Sequence, residues 1–457
     1  MAAAHDPQTT RRSPAQSEGD VNLSARRAAW SERTLGSDTR ALIGRDAAAF
    51  LHQSVSTPCL NGIVKAEGIW IEDTGGRRYM DFHGNNVHHI GYGHPRLKQA
   101  IAEQMDSLPF APRRFACAPA VELAEKLASI APGDLSKLLF ATSGSDAIEI
   151  ALKLARIATG RYKTVSFWES FHGAGFGASS VGGEELFRAP ALGPLLPGAE
   201  HVAPFDSYRD ADPMTAAGEI ARILEREGDI AAVIAEPVRA SSMHLPPPGF
   251  WNSVRAACDA HGTLLIFDEI PTGLGKLGSM FACEHDGVVP DILVLGKALG
   301  GGILPIAAAL CRPELDVAGD YAIGHYTHEK NPVLARAALT TIAIIEDEGL
   351  VENCARTGAW ALEKLEQMKA RHALIGDVRG RGHLIGIELV LDRASKQPAN
   401  DAAEAVMYAA LDLGLSFKTA MGNILALTPP LTTTIEQMDQ ALTIIERCLD
   451  EVAHELV

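Results

Sequence analysis

Six short apolar runs alternate with helical patterns between residues 95 and 332, and this alternation constrains the fold more than any other feature. The runs are KLLFAT, KTVSFW, AAVIAEP, TLLIFDE, DILVLGK and IAAALC. Continuous apolar strands of this kind are typical of a sheet buried on both faces, with the intervening helices as crossovers. The pattern therefore predicts an α/β fold with a mostly parallel sheet sandwiched by helices.

The flanking segments predict a second, smaller domain of the α+β type. Residues 40–53 have apolar positions at helical spacing, and residues 68–82 have the pattern of a β-hairpin. After residue 332 we expect a helix over 333–348, strands in VRGRGHLIGIELVL, and helices from about Ala402 and Thr434. The expected domain organisation is a disordered tail over 1–20, an N-terminal segment over 21–94 that joins the small domain, a large domain over 95–332 and a C-terminal small domain over 333–457.

Charge and cysteine usage exclude several classes of protein. The 41 basic and 57 acidic residues leave a formal charge of −16, which argues against a nucleic-acid or anionic-membrane partner. The seven cysteines are scattered and never form C-x-x-C, so we expect free thiols and no metal site. The first twenty residues lack the apolar core of a signal peptide, and no uninterrupted apolar run reaches about 18 residues. We expect a cytoplasmic protein.

Lys297 lies in the segment VLGKALGGG, directly after a predicted buried strand. Lysines are rarely buried without a purpose, and glycine-rich backbone allows another group to approach closely. Taken alone, the segment is also compatible with a surface lysine in a flexible loop.

Asp268 ends the apolar run TLLIF, which places it at the carboxyl edge of the sheet, where α/β proteins bind ligands. A carboxylate at this edge can keep the ring nitrogen of a cofactor protonated and so make the cofactor an electron sink. Asp268 could instead cap a helix. Its position one strand unit before Lys297 makes the pair more specific than either residue alone.

Two further motifs follow predicted strands. Ser143, Gly144 and Ser145 precede an amphipathic helix, whose N-terminal backbone N–H groups form a ready phosphate site, although Ser145 could also be an ordinary cap. Phe171 in WESFHG could stack on a planar ring or pack in the core.

These motifs, in this order, resemble the class III family of fold-type I pyridoxal-phosphate (PLP) enzymes, the aminotransferases and their relatives. The resemblance runs from about Gly62 to the C-terminus through YMDFHGNN, GYGHPRL, SGSDAIEIALKLAR, FHG, AEPV, FDEIPTG, HYTHEKNP and VRGRGHLIGIEL. It implies that Lys297 holds PLP as a Schiff base and moves protons, and that Asp268 pairs with the pyridinium. It further implies that Ser143, Gly144 and Ser145 cradle the phosphate and that Phe171 stacks on the ring. Thr327 would reach the phosphate of the neighbouring subunit, which implies a homodimer.

The sequence departs from the family pattern at three places. Ala426 occupies the position where family members that act on α-amino acids have a carboxylate-binding arginine, so Glu236 would lack that partner. Pro271 replaces a glutamine near the cofactor. Extra cations occur at four positions, which are solvated surface charges or bind an acidic group of the substrate: Arg113, Arg114, Arg239 and Lys418.

The sequence resembles one branch of the family in particular, which acts on hydroxylated aminoalkylphosphonates. This resemblance rests on the runs STPCLNGIVKAEGIWIED, YMDFHGNNVHHIGYGHP, PFAPRRFA, FDEIPTGLGK, GHYTHEKNP and LSFK. The resemblance implies elimination of hydroxide and then ammonia from (R)-1-hydroxy-2-aminoethylphosphonate, which gives phosphonoacetaldehyde. This substrate has no α-carboxylate, in agreement with Ala426.

Other functions remain open at this point. On the same scaffold, a transaminase acting between an amine and a keto acid, or a racemase or aminomutase, would use the same lysine and aspartate. A nucleotide-binding protein is disfavoured because the chain has neither G-x-G-x-x-G after its first strand nor G-x-x-x-x-G-K-[ST]. A PLP-binding protein without activity is disfavoured by the presence of both Lys297 and Asp268.

Overall fold

The computed structural model describes residues 23–54 and 56–455. The predicted tail over residues 1–20 lies outside these ranges. The helices of the described part are α1 Ala25–Thr34, α2 Ser37–Ala49, α3 Pro95–Ser107, α4 Ala118–Ile130, α5 Gly144–Thr159, α6 Phe176–Val181, α7 Thr215–Arg226, α8 Phe250–His261, α9 Pro332–Asp347, α10 Leu350–Arg371, α11 Asn400–Asp412 and α12 Ile435–Glu455.

The strands form three sheets. Their bounds are β1 Ile63–Glu67, β2 Trp70–Asp73, β3 Arg78–Asp81, β4 Lys137–Ala141, β5 Lys163–Phe167, β6 Ala199–Val202, β7 Ile230–Ala235, β8 Leu264–Asp268, β9 Ile292–Leu295, β10 Ala307–Cys311, β11 Ile375–Arg381, β12 Leu384–Asp392, β13 Gln397–Pro398, β14 Leu415–Ser416, β15 Lys418–Ala420 and β16 Ile424–Leu427.

The central sheet has seven strands in the order β4-β10-β9-β8-β7-β5-β6. The pairings of β6, β5, β7, β8 and β9 are parallel, whereas β10 runs antiparallel to both of its neighbours. The predicted mostly parallel sheet is confirmed, and all six predicted runs form strands. Strands β7, β9 and β10 are buried along their whole length, as their continuous apolar sequences require.

Helices cover both faces of this sheet. One apolar cluster contains side chains of α3, α4, α7, α8 and α9, and a second cluster contains side chains of α5 and α6. Helix α5 begins after Ser143, whose hydroxyl caps the helix, and ends at Gly160, which has a φ of 67°. This arrangement, with helices on both faces of a mostly parallel sheet, is a three-layer α/β sandwich.

One of the two smaller sheets joins N-terminal and C-terminal parts of the chain, and the other is formed by C-terminal strands alone. The predicted hairpin is confirmed as β2 and β3, and β14 adds to it in parallel. The other sheet has the order β11-β12-β16-β15. A separate apolar cluster combines Trp30, Tyr79 and Phe82 with side chains of α10, α11 and α12. The domain boundaries at residues 94 and 332 stay predictions; α9, on the C-terminal side of the second boundary, packs in the large cluster of the central sheet.

No helix among those described is both long enough and apolar enough to span a bilayer. The seven cysteines are free thiols, and six of them are buried.

Candidate active site

A cavity lies at the carboxyl ends of the parallel strands of the central sheet. Phe171 and His172 follow β5, Glu236 follows β7, Asp268 ends β8 and Lys297 follows β9. All five side chains line the cavity. Because parallel strands end at the same edge of a sheet, residues far apart in the sequence meet there. The predicted pair of Asp268 and Lys297 is therefore brought together.

Asp268 is held by two hydrogen bonds in a buried position. Its Oδ2 accepts a hydrogen bond from His172 Nδ1 at 2.8 Å, and its Oδ1 accepts one from the backbone N–H of Ile270 at 3.0 Å. Asp268 is 1% exposed and His172 is 2% exposed. The carboxylate is thus fixed in orientation, and His172 carries the Nδ1–H tautomer because a carboxylate can only accept.

The next residue, Glu269, is an acid with a different environment. It is fully buried and accepts the backbone N–H groups of Ala282 and Cys283 at 2.6 and 2.9 Å, at the start of a short 3₁₀ helix. Burial raises the pKa of Glu269 to about 7. Glu269 is not among the residues that line the cavity, whereas Asp268 is.

Lys297 is the first residue of a 3₁₀ turn over Lys297–Gly300 and has a φ of 43°. A lysine in this left-handed region is strained, which is a recurrent feature of functional sites. Gly296 before it allows close packing, since a Cβ there would meet Ile270 Cγ2 at 3.3 Å. The backbone therefore directs this half-buried lysine toward the cavity.

The N-terminus of α5 forms a third wall. Ser143 is the N-cap: its hydroxyl accepts the N–H of Asp146 at 3.1 Å and donates to the Asp146 carboxylate at 2.8 Å. Gly144 and Ser145 line the cavity, whereas Ser143 does not. The hydroxyl of Ser145 also accepts the N–H of Ala174 at 3.0 Å. The first turn of a capped helix attracts an anion such as a phosphate.

The remaining walls suit a flat aromatic cofactor. The ring of Phe171 packs at 4.7 Å from that of Phe187 and lines the cavity together with Ile270 and Pro271. A Cβ on Gly173 would meet Ser145 Oγ at 2.5 Å, so glycine is required where this loop approaches α5. Apolar faces, a buried carboxylate, a lysine and a helix N-terminus together fit PLP, with its ring, its ring nitrogen, its aldehyde and its phosphate.

The four cations that the sequence singled out do not line this cavity as the described residues form it. Arg239 is 4% exposed, and its Nη2 donates to Glu169 Oε2 at 2.9 Å. Lys418 is half-buried in β15, opposite Ala426 of β16.

Arg113 and Arg114 lie in a separate surface depression that Thr327 and His325 also line. Arg113 Nη2 donates to His325 Nε2 at 2.8 Å. Thr327 is exposed. Within one subunit, Thr327 and these two arginines therefore lie together in a depression separate from the cavity that Lys297 lines.

Two departures from the family pattern have clear structural consequences. Ala426 is fully buried in an apolar cluster with Val238, Met243 and Leu277, so its surroundings are packed with apolar side chains. Glu236, for which position 426 offers no arginine, accepts the N–H of Ala240 with its Oε2 at 3.0 Å.

Sequence reasoning missed five residues of the cavity: His172, Ile270, Gly173, Ala240 and Ser241. The first two are adjacent or nearly adjacent to residues that were selected, Phe171 and Asp268, so position after a strand was an available signal. Ser241 lies in a loop without periodicity, and nothing in the sequence marks it. The described residues contain no group of three or more His, Cys, Asp or Glu side chains placed to hold a metal ion.

Comparisons with known proteins agree with this geometry. The family model described as Aminotransferase class-III matches residues 52–449. The (R)-1-hydroxy-2-aminoethylphosphonate ammonia-lyase of Vibrio splendidus is 44% identical over 461 residues, which cover 96% of this chain and 96% of that protein. The leucine/methionine racemase of Thermococcus litoralis is 38% identical, covering 85% of this chain and 90% of that protein.

Solved structures show the same architecture. A Bacillus anthracis aminotransferase has a TM-score of 0.86 at 31% identity and covers 92% of this chain and all of its own, 100%. A PLP-bound amine transaminase from an uncultivated Pseudomonas species has a TM-score of 0.81 at 33% identity, covering 88% of this chain and 99% of its own. The predicted fold-type I architecture is confirmed, and the chain belongs to the class III aminotransferase family of PLP-dependent enzymes.

Proposed function

We propose that this protein is a PLP-dependent ammonia-lyase that converts (R)-1-hydroxy-2-aminoethylphosphonate to phosphonoacetaldehyde and ammonia. The observation that carries the proposal is the buried, apolar environment of Ala426, where family members that act on α-amino acids have a carboxylate-binding arginine. A substrate without an α-carboxylate needs no such arginine. The 44% identity to the Vibrio splendidus ammonia-lyase over nearly the whole chain supports the same substrate.

The residues of the cavity would hold the cofactor at four points. Lys297 would bind it covalently, Asp268 would pair with its ring nitrogen, and Phe171 would contact its ring. The N-terminus of α5, with Gly144 and Ser145, would bind the phosphate, and Ser143 would support this helix end as its N-cap. When bound, PLP withdraws electrons from the carbon that carries the substrate's amine.

Lys297 would carry out the proton transfers, and Asp268 would balance the positive charge of the ring nitrogen. Lys297 Nζ takes a proton from the amine-bearing carbon and delivers a proton to the hydroxyl oxygen as the neighbouring C–O bond breaks. Asp268, held by His172, stabilises the positive charge of the ring nitrogen throughout. One water leaves in the elimination and one enters when the product hydrolyses, so the substrate gives aldehyde and ammonia without a second substrate.

The phosphonate needs cations, and we assign them to the partner subunit of a homodimer. Arg113 and Arg114 share a depression with Thr327, the residue that the family resemblance places across the interface. Large apolar side chains beside them are exposed in the single chain, with Phe110 at 40% and Phe115 at 53%, as expected of a surface that a second subunit covers. Arg239 and Lys418 are the alternative candidates for binding the phosphonate. Arg239 is less suited because its guanidinium is already paired with Glu169.

The experiment is a turnover assay with the purified PLP-loaded protein. With (R)-1-hydroxy-2-aminoethylphosphonate and no keto acid, we expect equal amounts of phosphonoacetaldehyde and ammonia, and none from the Lys297→Ala variant. An exposed lysine on β1, Lys65, provides the matched control, since Lys65→Ala should keep full activity. Strict dependence on a keto acid would instead identify a transaminase, and proton exchange at carbon without elimination would identify a racemase-like enzyme.

A further inference from the structure

The loop that follows β7 forms one wall of the cavity. Glu236, Ala240 and Ser241 of this loop line it, beside Asp268 and Lys297. Ala240 and Ser241 have no role in holding the cofactor in the function proposed above. They are therefore available to contact the substrate.

The backbone of this loop is fixed by its own hydrogen bonds. The N–H of Arg239 donates to the carbonyl of His244 at 3.1 Å and closes a tight turn. Met243 in this turn has a φ of 56°. The N–H of Ala240 donates to Glu236 Oε2 at 3.0 Å, which ties the turn to the end of β7.

Side chains on either side of Ser241 also have partners. Arg239 Nη2 donates to Glu169 Oε2 at 2.9 Å, and Arg379 Nε donates to the carbonyl of Ser242 at 2.9 Å. The Ser242 hydroxyl lies 2.9 Å from His244 Nδ1. The turn is thus anchored from both flanks, and it presents Ser241 in a defined orientation.

The hydroxyl of Ser241 is the exception in this turn. Ser241 is 4% exposed, and its Oγ has no hydrogen-bond partner among residues 23–54 and 56–455. A buried hydroxyl without a partner is unfavourable by about 1–3 kcal/mol, so such groups in native proteins call for an explanation. Because Ser241 lines the cavity, a bound ligand can supply the partner.

The charges around Ser241 select the part of the substrate that it contacts. The carboxyl groups of Glu236 and Asp268 line the same cavity, and Lys297 is the one lysine or arginine among its described lining residues. A phosphonate dianion placed against this wall would face two acids. A neutral hydroxyl group has no such conflict and can both donate and accept hydrogen bonds.

We propose that Ser241 is a specificity-determining residue whose hydroxyl binds the 1-hydroxyl group of the substrate and thereby distinguishes it from amines that lack this group. The inference rests on the proposed lyase function. It also places the phosphonate on the opposite, open side of the cavity, where cations of the partner subunit would lie. The hydrogen bond orients the C–O bond that breaks; the proton for the leaving hydroxide still comes from Lys297.

The test compares two ligands that differ by one oxygen atom. Dissociation constants of (R)-1-hydroxy-2-aminoethylphosphonate and of 2-aminoethylphosphonate are both measured by calorimetry in the PLP-loaded Lys297→Ala background, where neither ligand is consumed. We expect Ser241→Ala to weaken binding of the hydroxylated ligand by roughly three- to tenfold, as for the loss of one neutral hydrogen bond, and to leave the other ligand nearly unchanged. Ser242→Ala is the matched control, because it removes the neighbouring hydroxyl that contacts His244. The ratio of the two dissociation constants should stay at the wild-type value in this control.

Each outcome is decisive. Equal weakening of both ligands by Ser241→Ala would show a contact with the phosphonate or the amine and would overturn the assignment. Loss of PLP absorbance in Ser241→Ala would show a cofactor contact and would overturn it too. A wild-type enzyme that turns over the substrate, together with an unchanged ratio in Ser241→Ala, would refute this inference alone. A wild-type enzyme without lyase turnover would refute the proposed function and this inference with it.

Discussion

Asp268 shows how a single side chain is prepared for its task by a residue distant in sequence. His172 lies 96 positions earlier, yet its Nδ1 is 2.8 Å from Asp268 Oδ2, and both residues are buried. Together with the Ile270 N–H on Oδ1, the bond from His172 fixes the plane of the carboxylate. His172 is therefore a positioning residue that acts through Asp268.

Replacement of His172 by phenylalanine should reduce kcat by about 10- to 100-fold, because a hydrogen bond to a charged group is lost while the packing is largely kept. KM should change little, since in the proposed function His172 holds Asp268 and does not contact the substrate. The conservative variant His172→Asn places an amide N–H near the position of Nδ1 and should restore part of kcat. Steady-state kinetics of the three proteins check this. Equal kcat in the Phe and Asn variants would mean that only packing matters at this position.

At the scale of elements, the site depends on how closely the loop after β5 approaches the start of α5. Gly173 has a φ of 130°, and a Cβ there would meet Ser145 Oγ at 2.5 Å and Ser145 Cα at 2.9 Å. Gly160 ends the same helix with a φ of 67°, but a Cβ at this position would meet nothing within 4 Å. The two glycines therefore differ in local crowding and in distance from the cavity.

Gly173→Ala should weaken PLP binding by about tenfold or more, because the added Cβ displaces the helix end that binds the phosphate. Gly160→Ala should cost about 1 kcal/mol in stability through the positive φ and leave PLP affinity unchanged. Titration of the two apoproteins with PLP, followed by visible absorbance, measures both affinities. Equal PLP affinities in the two variants would contradict the assignment of the phosphate to this helix end.

Elements with a strong local pattern could be predicted from the sequence, and elements defined by distant contacts could not. All six short apolar runs form strands, and the composition of β7, β9 and β10 reflects their burial along the whole length. Strand β6, with the sequence AEHV, escaped notice because it is a short edge strand with polar residues.

The candidate site follows the same rule. Asp268 and Lys297 could be selected because each follows an apolar strand. The pairing of Arg239 with Glu169 and the orientation of Ser241 depend on tertiary contacts that no local pattern records.

For the molecule as a whole, a cluster of buried titratable groups joins the central sheet to the C-terminal segment. Lys276 is fully buried and donates to the carbonyls of Thr428 and Pro429 at 3.2 and 2.9 Å. His383 Nδ1 donates to the carbonyl of Pro430 at 2.9 Å. Burial, followed by the nearby charge of Lys276, lowers the pKa of His383 to about 3. Burial also lowers the pKa of Lys276 to about 7.

These shifts predict how stability depends on pH. Between an unfolded pKa of about 6.5 and the folded pKa, the unfolded chain binds a proton at His383 that the folded protein does not, so stability falls as pH falls below about 6.5. Lys276 acts in the same direction between about pH 10 and 7, because its folded pKa is also lowered. Glu269 acts in the opposite direction, because its raised pKa favours the folded state at low pH.

Comparison of the wild type with His383→Asn isolates the contribution of His383 to the pH dependence of stability from those of Lys276 and Glu269. Asparagine keeps a donor toward Pro430 but does not titrate, so the stability difference between the two proteins should shrink as pH falls from 6.5 to 4.5, by at most about 1.4 kcal/mol per pH unit. Denaturant unfolding at several pH values provides the measurement. His52 is exposed, and His52→Asn should show the pH dependence of the wild type. A difference between wild type and His383→Asn that does not vary with pH would contradict a neutral, buried His383.

The proposed dimer predicts that two inactive subunits can restore each other's activity. One parent carries Lys297→Ala, and the other carries both Arg113→Ala and Arg114→Ala. If the arginines serve the partner's cavity, a heterodimer contains one site with Lys297 and both arginines intact, and one site with neither. Random pairing at equal amounts gives heterodimers for half of the molecules, so the mixture should recover about a quarter of the wild-type activity per site.

If the arginines serve their own subunit, every site in the mixture is defective and no activity returns. Mixing is done by joint refolding or co-expression with two affinity tags, and kcat is measured on the doubly purified heterodimer, where half of the wild-type value per site is expected. A Lys65→Ala parent mixed with Lys297→Ala sets the scale, because Lys65 is an exposed residue of β1. The doubly purified heterodimer from that pair should also retain half of the wild-type activity per site, whatever side of the interface the arginines serve. Recovery in the arginine pair at this level would place Arg113 and Arg114 at the partner's cavity, and absence of recovery would place them at the cavity of their own subunit. Full activity of the Arg113→Ala, Arg114→Ala parent by itself would move the search to Arg239 and Lys418.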